Sequence, residues 1–164
     1  MNGLKWLWLL ALICSLSLRA EQPDTAAHPL MTRYVGTWEL DELLREPSVQ
    51  PELRALLGDD LERLINNISV RGPVGVYGGA LTVMGNAPHR GGEEEAVLCI
   101  QLVDADSEVH AAIFSGGRVT IRSRQPRYDF LPICIRDWVA LVSTGHRYRM
   151  RQPDHVDMVV PGRD

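Results

Sequence analysis

Ala96-Val97-Leu98-Cys99-Ile100-Gln101-Leu102-Val103, then Asp104-Ala105-Asp106-Ser107, then Glu108-Val109-His110-Ala111-Ala112-Ile113-Phe114: these three consecutive stretches decide the fold. The first is a long apolar strand, the second a polar turn, and the third a strand that pairs back on the first as a hairpin. Ser115-Gly116-Gly117 makes another tight turn, after which Arg118–Arg122 alternates basic and apolar residues, as a half-exposed strand does. Working upstream, Ala80–Met84, Val74–Tyr77 and Ile68–Arg71 are shorter strand-like runs punctuated by Gly78-Gly79 and Gly72-Pro73.

Before Asn66 the period changes from two to three and four. Val49, Leu53, Leu56, Leu57, Leu61, Leu64 and Ile65 line one side of a helix opened by Ser48 and Pro51, which Gly58 with Asp59-Asp60 splits in two. An earlier helical turn is capped by Thr37, carries Glu39, Asp41 and Glu42 at its positive end, buries Leu40, Leu43 and Leu44, and stops at Pro47. Downstream, Pro132–Val142 is helical with Trp138 on its buried side. The expectation is an α+β domain: an antiparallel sheet of about five strands, with the N-terminal helices and a C-terminal helix packed on one face.

The ends divide the chain further. Met1–Lys5 is a short positive segment, Trp6–Leu16 an apolar one, and Leu18-Arg19-Ala20 puts a small residue at a cleavage point, so residues 1–20 are expected to be a secretory signal peptide. Cys14 is not a lipoprotein site, because Ile13 stands where a small side chain is required. Residues 21–33 are expected to be a flexible mature N-terminus, 34–145 a single domain, and 146–164 a polar tail. Of the 17 basic residues, Lys5 and Arg19 leave with the leader, and the 15 that remain face 21 acidic ones, a net charge of −6. That balance argues against nucleic acid, whose affinity comes from clustered cations, and suits a basic protein partner. Without the leader only Cys99 and Cys134 remain, both in apolar runs. In an oxidising compartment the first expectation for such a pair is a structural disulfide, the alternative being two inert buried thiols.

Chemical motifs are few. The sequence has no GxSxG elbow, no phosphate-binding Gly-rich loop with its lysine, no HExxH and no CxxC, which leaves no catalytic residue, metal site or cofactor to nominate. Asn67-Ile68-Ser69 matches a glycosylation sequon of the sort frequent by chance. A zinc site using His89 with Glu93 or His110 fits no strong ligand spacing. One segment stands apart: Asn86-Ala87-Pro88-His89-Arg90-Gly91-Gly92, followed by Glu93-Glu94-Glu95. Pro88 stiffens the approach to His89 and the glycines allow a tight return, so the loop can present an imidazole and a guanidinium, both suited to carboxylates, to a partner's cleft. The plainer alternative is a long hairpin loop followed by a solvated run of glutamates.

Pro88-His89 in a strand-flanked loop resembles the inhibitor of vertebrate lysozyme (Ivy-type) family, whose hallmark loop reads Cys-Lys-Pro-His-Asp-Cys. Asp41-Glu42-Leu43-Leu44, Pro47, Leu53, Leu56 and Leu57 look like that family's leading helices, Gly79–Met84 like the strand entering the loop, and Ala96–Leu102 with Val109–Phe114 like the hairpin leaving it. The resemblance covers roughly residues 34–124. It implies an Ivy-like fold and a periplasmic or extracellular inhibitor of lysozyme-like glycoside hydrolases, itself no enzyme, whose loop Asn86, Ala87, Pro88, His89, Arg90 and Gly91 enters the active site with the histidine at the catalytic carboxylates. The family's clamping cysteines fall at Asn86 and Gly91, its lysine at Ala87 and its aspartate at Arg90, so this loop has no disulfide of its own. The partner implied is a basic protein such as a lysozyme, with no membrane span after signal cleavage and room for a homodimer. The alternative is a cell-envelope binding or scaffold module on the same fold with a different protein partner.

Overall fold

The computed structural model describes residues 28–103, 106–144 and 155–161; the expected signal peptide lies outside them. The hairpin is the centre of the molecule. β4 (Glu95–Val103) and β5 (Asp106–Ser115) pair antiparallel over nine positions from Glu95↔Phe114 to Val103↔Asp106. β3 (Ala80–Asn86) flanks β4, and β6 (Arg118–Arg122) flanks β5, both antiparallel. Two short strands, β1 (Val70–Arg71) and β2 (Gly75–Tyr77), both pair with β3, and β7 (His155–Val159) lies parallel to β6.

The sheet therefore has seven strands, where about five were expected. The additional edge comes from the segment expected to be a polar tail. His155-Val156-Asp157-Met158-Val159 has too few apolar residues to announce a strand, but β6 leaves an open edge. There Met158 packs against the core and Asp157 pairs with Arg118. The end of the segment expected to be a flexible N-terminus is among the described residues. Pro29–Tyr34 is a helix, α1, because Leu30 and Tyr34 have a core to enter and the Tyr34 hydroxyl donates to the Glu46 carboxylate. Burial first, then the Glu46 hydrogen bond, pushes the Tyr34 hydroxyl pKa up to about 12.

The helices α2 (Leu40–Leu43), α3 (Gln50–Leu57) and α4 (Asp60–Asn67) follow, with the break at Gly58 that the sequence suggests. Gly58 adopts φ +50°, a conformation that glycine reaches without a side-chain penalty. Together with α1 they cover one face of the sheet, where Leu81, Val83, Leu98, Ile100, Val109 and Ile113 meet Tyr34, Leu43, Leu53, Leu57, Leu64 and Ile68. The C-terminal helix α5 (Ile133–Ser143) covers the other face, with Ile135, Trp138, Val139 and Val142 against Val97, Ala112, Phe114, Val119 and Ile121. The helices thus lie on both faces, not on one. The cause is β4 itself: Ala96 to Ile100 are all buried, and successive side chains of a strand point to opposite faces, so both must be roofed.

Cys99, on the α5 side of β4, is joined by a disulfide to Cys134 in the first turn of α5. The same face holds His110 on β5, fully buried, its Nδ1 2.8 Å from Ser123 Oγ and its Nε2 3.0 Å from Gln101 Oε1. Burial lowers the His110 pKa below its ordinary value, an effect that the Glu108 carboxylate, 3.7 Å away, partly opposes.

Two stability predictions follow from this face. Cys99 and Cys134 are 35 residues apart, so replacing both by Ala should lower the unfolding free energy by about 3–4 kcal/mol in the loop-entropy picture, measured by denaturant titration under non-reducing conditions. An unchanged midpoint would show that the bond contributes nothing. His110 acts in the opposite pH sense to a salt-bridged histidine. The unfolded chain takes up its proton as the pH falls through about 6.5, while the folded chain resists, so stability present above that pH is lost below it. His110→Gln should flatten the fall in melting temperature between pH 7 and 5; an identical slope in the variant would assign the loss to other groups.

Candidate functional site

β3 and β4 end together at Asn86↔Glu95, and the chain between them forms the loop that the sequence singles out. Ala87 N donates to Glu94 O at 2.9 Å, which continues the ladder one step and pinches the loop at its base. Ala87 itself is buried; Pro88, His89, Arg90 and Gly91 are exposed. Arg90 N then donates to Ala87 O at 3.0 Å, closing a four-residue turn with Pro88 second and His89 third.

His89 has φ +59°, and it is the one non-glycine residue with positive φ among the described residues. A proline second and a positive φ third define a type II turn, whose third place usually falls to glycine or asparagine. Histidine is less disfavoured there than most residues, yet a side chain in this region still costs on the order of 1 kcal/mol. The surrounding bonds hold it. Glu93 N and Glu94 N both donate to Arg90 O at 3.0 Å, and Gly92 N donates to Glu95 Oε1 at 2.6 Å. The His89 side chain makes no hydrogen bond or ion pair with the described residues, so its two ring nitrogens are available to another molecule.

Arg90 is placed differently from its neighbour. Its Nε donates to Glu93 Oε2 at 2.8 Å, and Nη2 lies 3.8 Å from Glu94 Oε1. The guanidinium is paired within the loop, with just over half of its side chain exposed. Glu94 in turn accepts from Asn67 Nδ2 at 3.2 Å, and the same nitrogen is 3.2 Å from Phe114 O. Asn67 is fully buried at the end of α4, which removes it from the reach of glycosylation and makes it a brace between helix, sheet and loop. The sequence marks Asn67 as part of a sequon, not as a brace. Its partners are 27 and 47 positions away, and nothing local marks that role.

Asn86 and Gly91 face each other across the loop base. Asn86 Nδ2 donates to Ala87 O at 2.8 Å, and a Cβ at position 91 would stand 3.7 Å from Asn86 Cγ. His110 is tied into the core by Ser123 and Gln101, apart from the exposed His89. Among the described residues no three His, Cys, Asp or Glu side chains gather to hold a metal, and no helix is long and apolar enough to cross a membrane.

The arrangement places an exposed imidazole on a constrained turn. Residues 48–141, more than half of the chain, match the sequence model of the family described as inhibitor of vertebrate lysozyme (Ivy). The matched span holds α3, α4, β1 to β6, the loop and both disulfide cysteines. Comparisons with the curated proteins and with the solved structures give no match. The family is one of inhibitors and not of enzymes, and lysozyme is its partner. The match over more than half of the chain is what places it: the chain belongs to the inhibitor of vertebrate lysozyme family.

Proposed function

We propose that the protein inhibits lysozyme-like glycoside hydrolases in the periplasm by inserting the loop Asn86–Gly91 into the active-site cleft, with His89 as the contact to the catalytic carboxylates. The observation that carries this is the exposed, uncommitted His89 ring at the tip of a type II turn. Glycosidases that retain configuration hold their two carboxyl groups about 5–5.5 Å apart. A protonated imidazole carries a donor on each ring nitrogen and can serve both acids at once, through charge-assisted hydrogen bonds. Such a wedge removes the general acid and the nucleophile together and fills the space that a sugar ring would take.

The rest of the molecule supports the fit. Fixing the turn before binding reduces the ordering cost at association. Without its leader the chain carries a net charge of −6, which speeds encounter with a basic enzyme. The Cys99–Cys134 disulfide suits an oxidising compartment such as the periplasm. Because Arg90 is engaged by Glu93 and Glu94, the contact with the target is assigned to His89 and not shared with Arg90.

The test is lysis of a cell-wall suspension by lysozymes of several classes, each mixed with the purified protein at equimolar micromolar concentration. Inhibition of at least one class is expected, and His89→Ala should weaken it at least tenfold, the worth of about 1.4 kcal/mol, with the melting temperature held within about 2 °C. If no class is inhibited by the unaltered protein, the proposal fails, and a pull-down from periplasm becomes the route to a different protein partner. Inhibition that survives His89→Ala would move the contact elsewhere on the surface.

A further inference from the structure

We infer that Glu94, anchored by Asn67, is the positioning residue that fixes the loop for binding; its consequence for inhibition rests on the function proposed above, while its effect on the loop does not. The backbone bonds within the loop (Ala87 to Glu94, Arg90 to Ala87, Glu93 and Glu94 to Arg90) close it upon itself. They give the tip a shape, and the Gly92 N to Glu95 Oε1 bond adds a hold on the first residue of β4, but none of these reaches the helical layer. Glu94 does. One carboxylate oxygen accepts from Asn67, whose amide is fully buried and also spans to Phe114 O on β5; the other faces the Arg90 guanidinium at 3.8 Å. The side chain of Glu94 is only 20% exposed, so its charge is partly desolvated and depends on these partners. A chain of contacts thus runs from β5 through α4 and Glu94 to Arg90, the residue that follows His89. Glu93 adds a second hold on Arg90 at 2.8 Å.

In this arrangement Glu94 is more than a solvated residue at a strand start, and Arg90 works for the loop. Removing Glu94 should leave the sheet and both helical layers intact and lower the fraction of molecules in which the turn is ready to bind. Apparent affinity falls in proportion to that fraction.

The experiment reads the free protein first. Amide hydrogen exchange at Ala87, Arg90 and Glu93 should quicken about tenfold in Glu94→Ala, and by less in Glu94→Gln, which keeps an acceptor for Asn67 but not the charge for Arg90. Amides in the middle of β4 and β5 should exchange as before. Unchanged exchange in the loop of Glu94→Ala overturns the inference, as does a uniform rise across the sheet, which would mean general destabilisation. If Glu94→Ala does not fold, Glu94→Gln and Arg90→Ala carry the same comparison. The second reading uses closure by another means. Asn86→Cys with Gly91→Cys places two thiols across the loop base, within reach of a disulfide after a small adjustment. In the Glu94→Ala background that bond should restore both slow exchange and inhibition of lysozyme. Restored exchange without any inhibition by the unaltered protein would uphold the clamp and defeat the proposed function; failure of the bonded variant to slow exchange would defeat the clamp.

Discussion

The burial of β4 on both of its faces is the constraint from which the rest of the structure follows. Ala96, Val97, Leu98, Cys99 and Ile100 have almost no contact with solvent, and β5 matches them with Val109, Ala111, Ala112, Ile113 and Phe114. Each fully buried Val, Leu, Ile or Phe among them is worth about 1.5–3 kcal/mol relative to exposure, so leaving either face bare would forfeit several such contributions. One face is roofed by four short helices gathered from the first part of the chain, and the other by α5. A short helix is marginal in isolation, and here the sheet supplies the surface that makes each of them stable. The disulfide then ties α5 to the central strand at Cys99, so the roof on that side is held covalently as well as by packing.

This double-sided core also fixes where the loop stands. β3 and β4 run in register to Asn86↔Glu95, and both are held by neighbours and by helices up to that point. The loop therefore springs from a rigid edge, and local bonds shape its tip while Asn67 and Glu94 brace it from the helical layer. Those bonds include one unfavourable element, the positive φ of His89, and several that offset it: the pinch at Ala87, the three bonds around Arg90 and the Gly92–Glu95 bond. A strained residue that persists because its surroundings over-determine it is often found where a protein meets its target. The strain here falls on the residue with uncommitted hydrogen-bonding groups.

Much of this was legible in the sequence, and the parts that were not share a physical reason. The hairpin, the split at Gly58, the strand-like runs and the helix around Trp138 all announce themselves by local periodicity and turn residues. The cysteine pair was legible by counting. Periodicity shows that a helix has an apolar stripe but not which face of a sheet it meets, so α5 was expected beside the other helices. The unbroken run from Ala96 to Ile100 held the hint, since an unalternated strand implies two covered faces. β7 escaped because an edge strand needs little apolar surface, and its pairing partner lies about forty residues earlier. The loop itself was marked by Pro88-His89, but its bracing was not. Asn67 meets Glu94 and Phe114 only after the chain has folded, and nothing in Asn67-Ile68-Ser69 separates a buried brace from a chance sequon.

The charge of the loop carries the argument one step beyond its shape. With Arg90 matched to Glu93 and Glu94, the loop and the start of β4 hold three carboxylates against one guanidinium, a net negative segment that also carries His89. On the proposed mode of action, that neighbourhood must approach a groove that contains acids of its own. Like charges brought together in a partly desolvated interface cost free energy, and the loss has to be offset by cations around the target's groove. A target with a basic rim offsets it; a glycosidase with an acidic rim repels the same loop. Under that mode of action, discrimination between targets would come from the glutamates that brace the loop and the contact from the imidazole, two roles on different residues of one short segment.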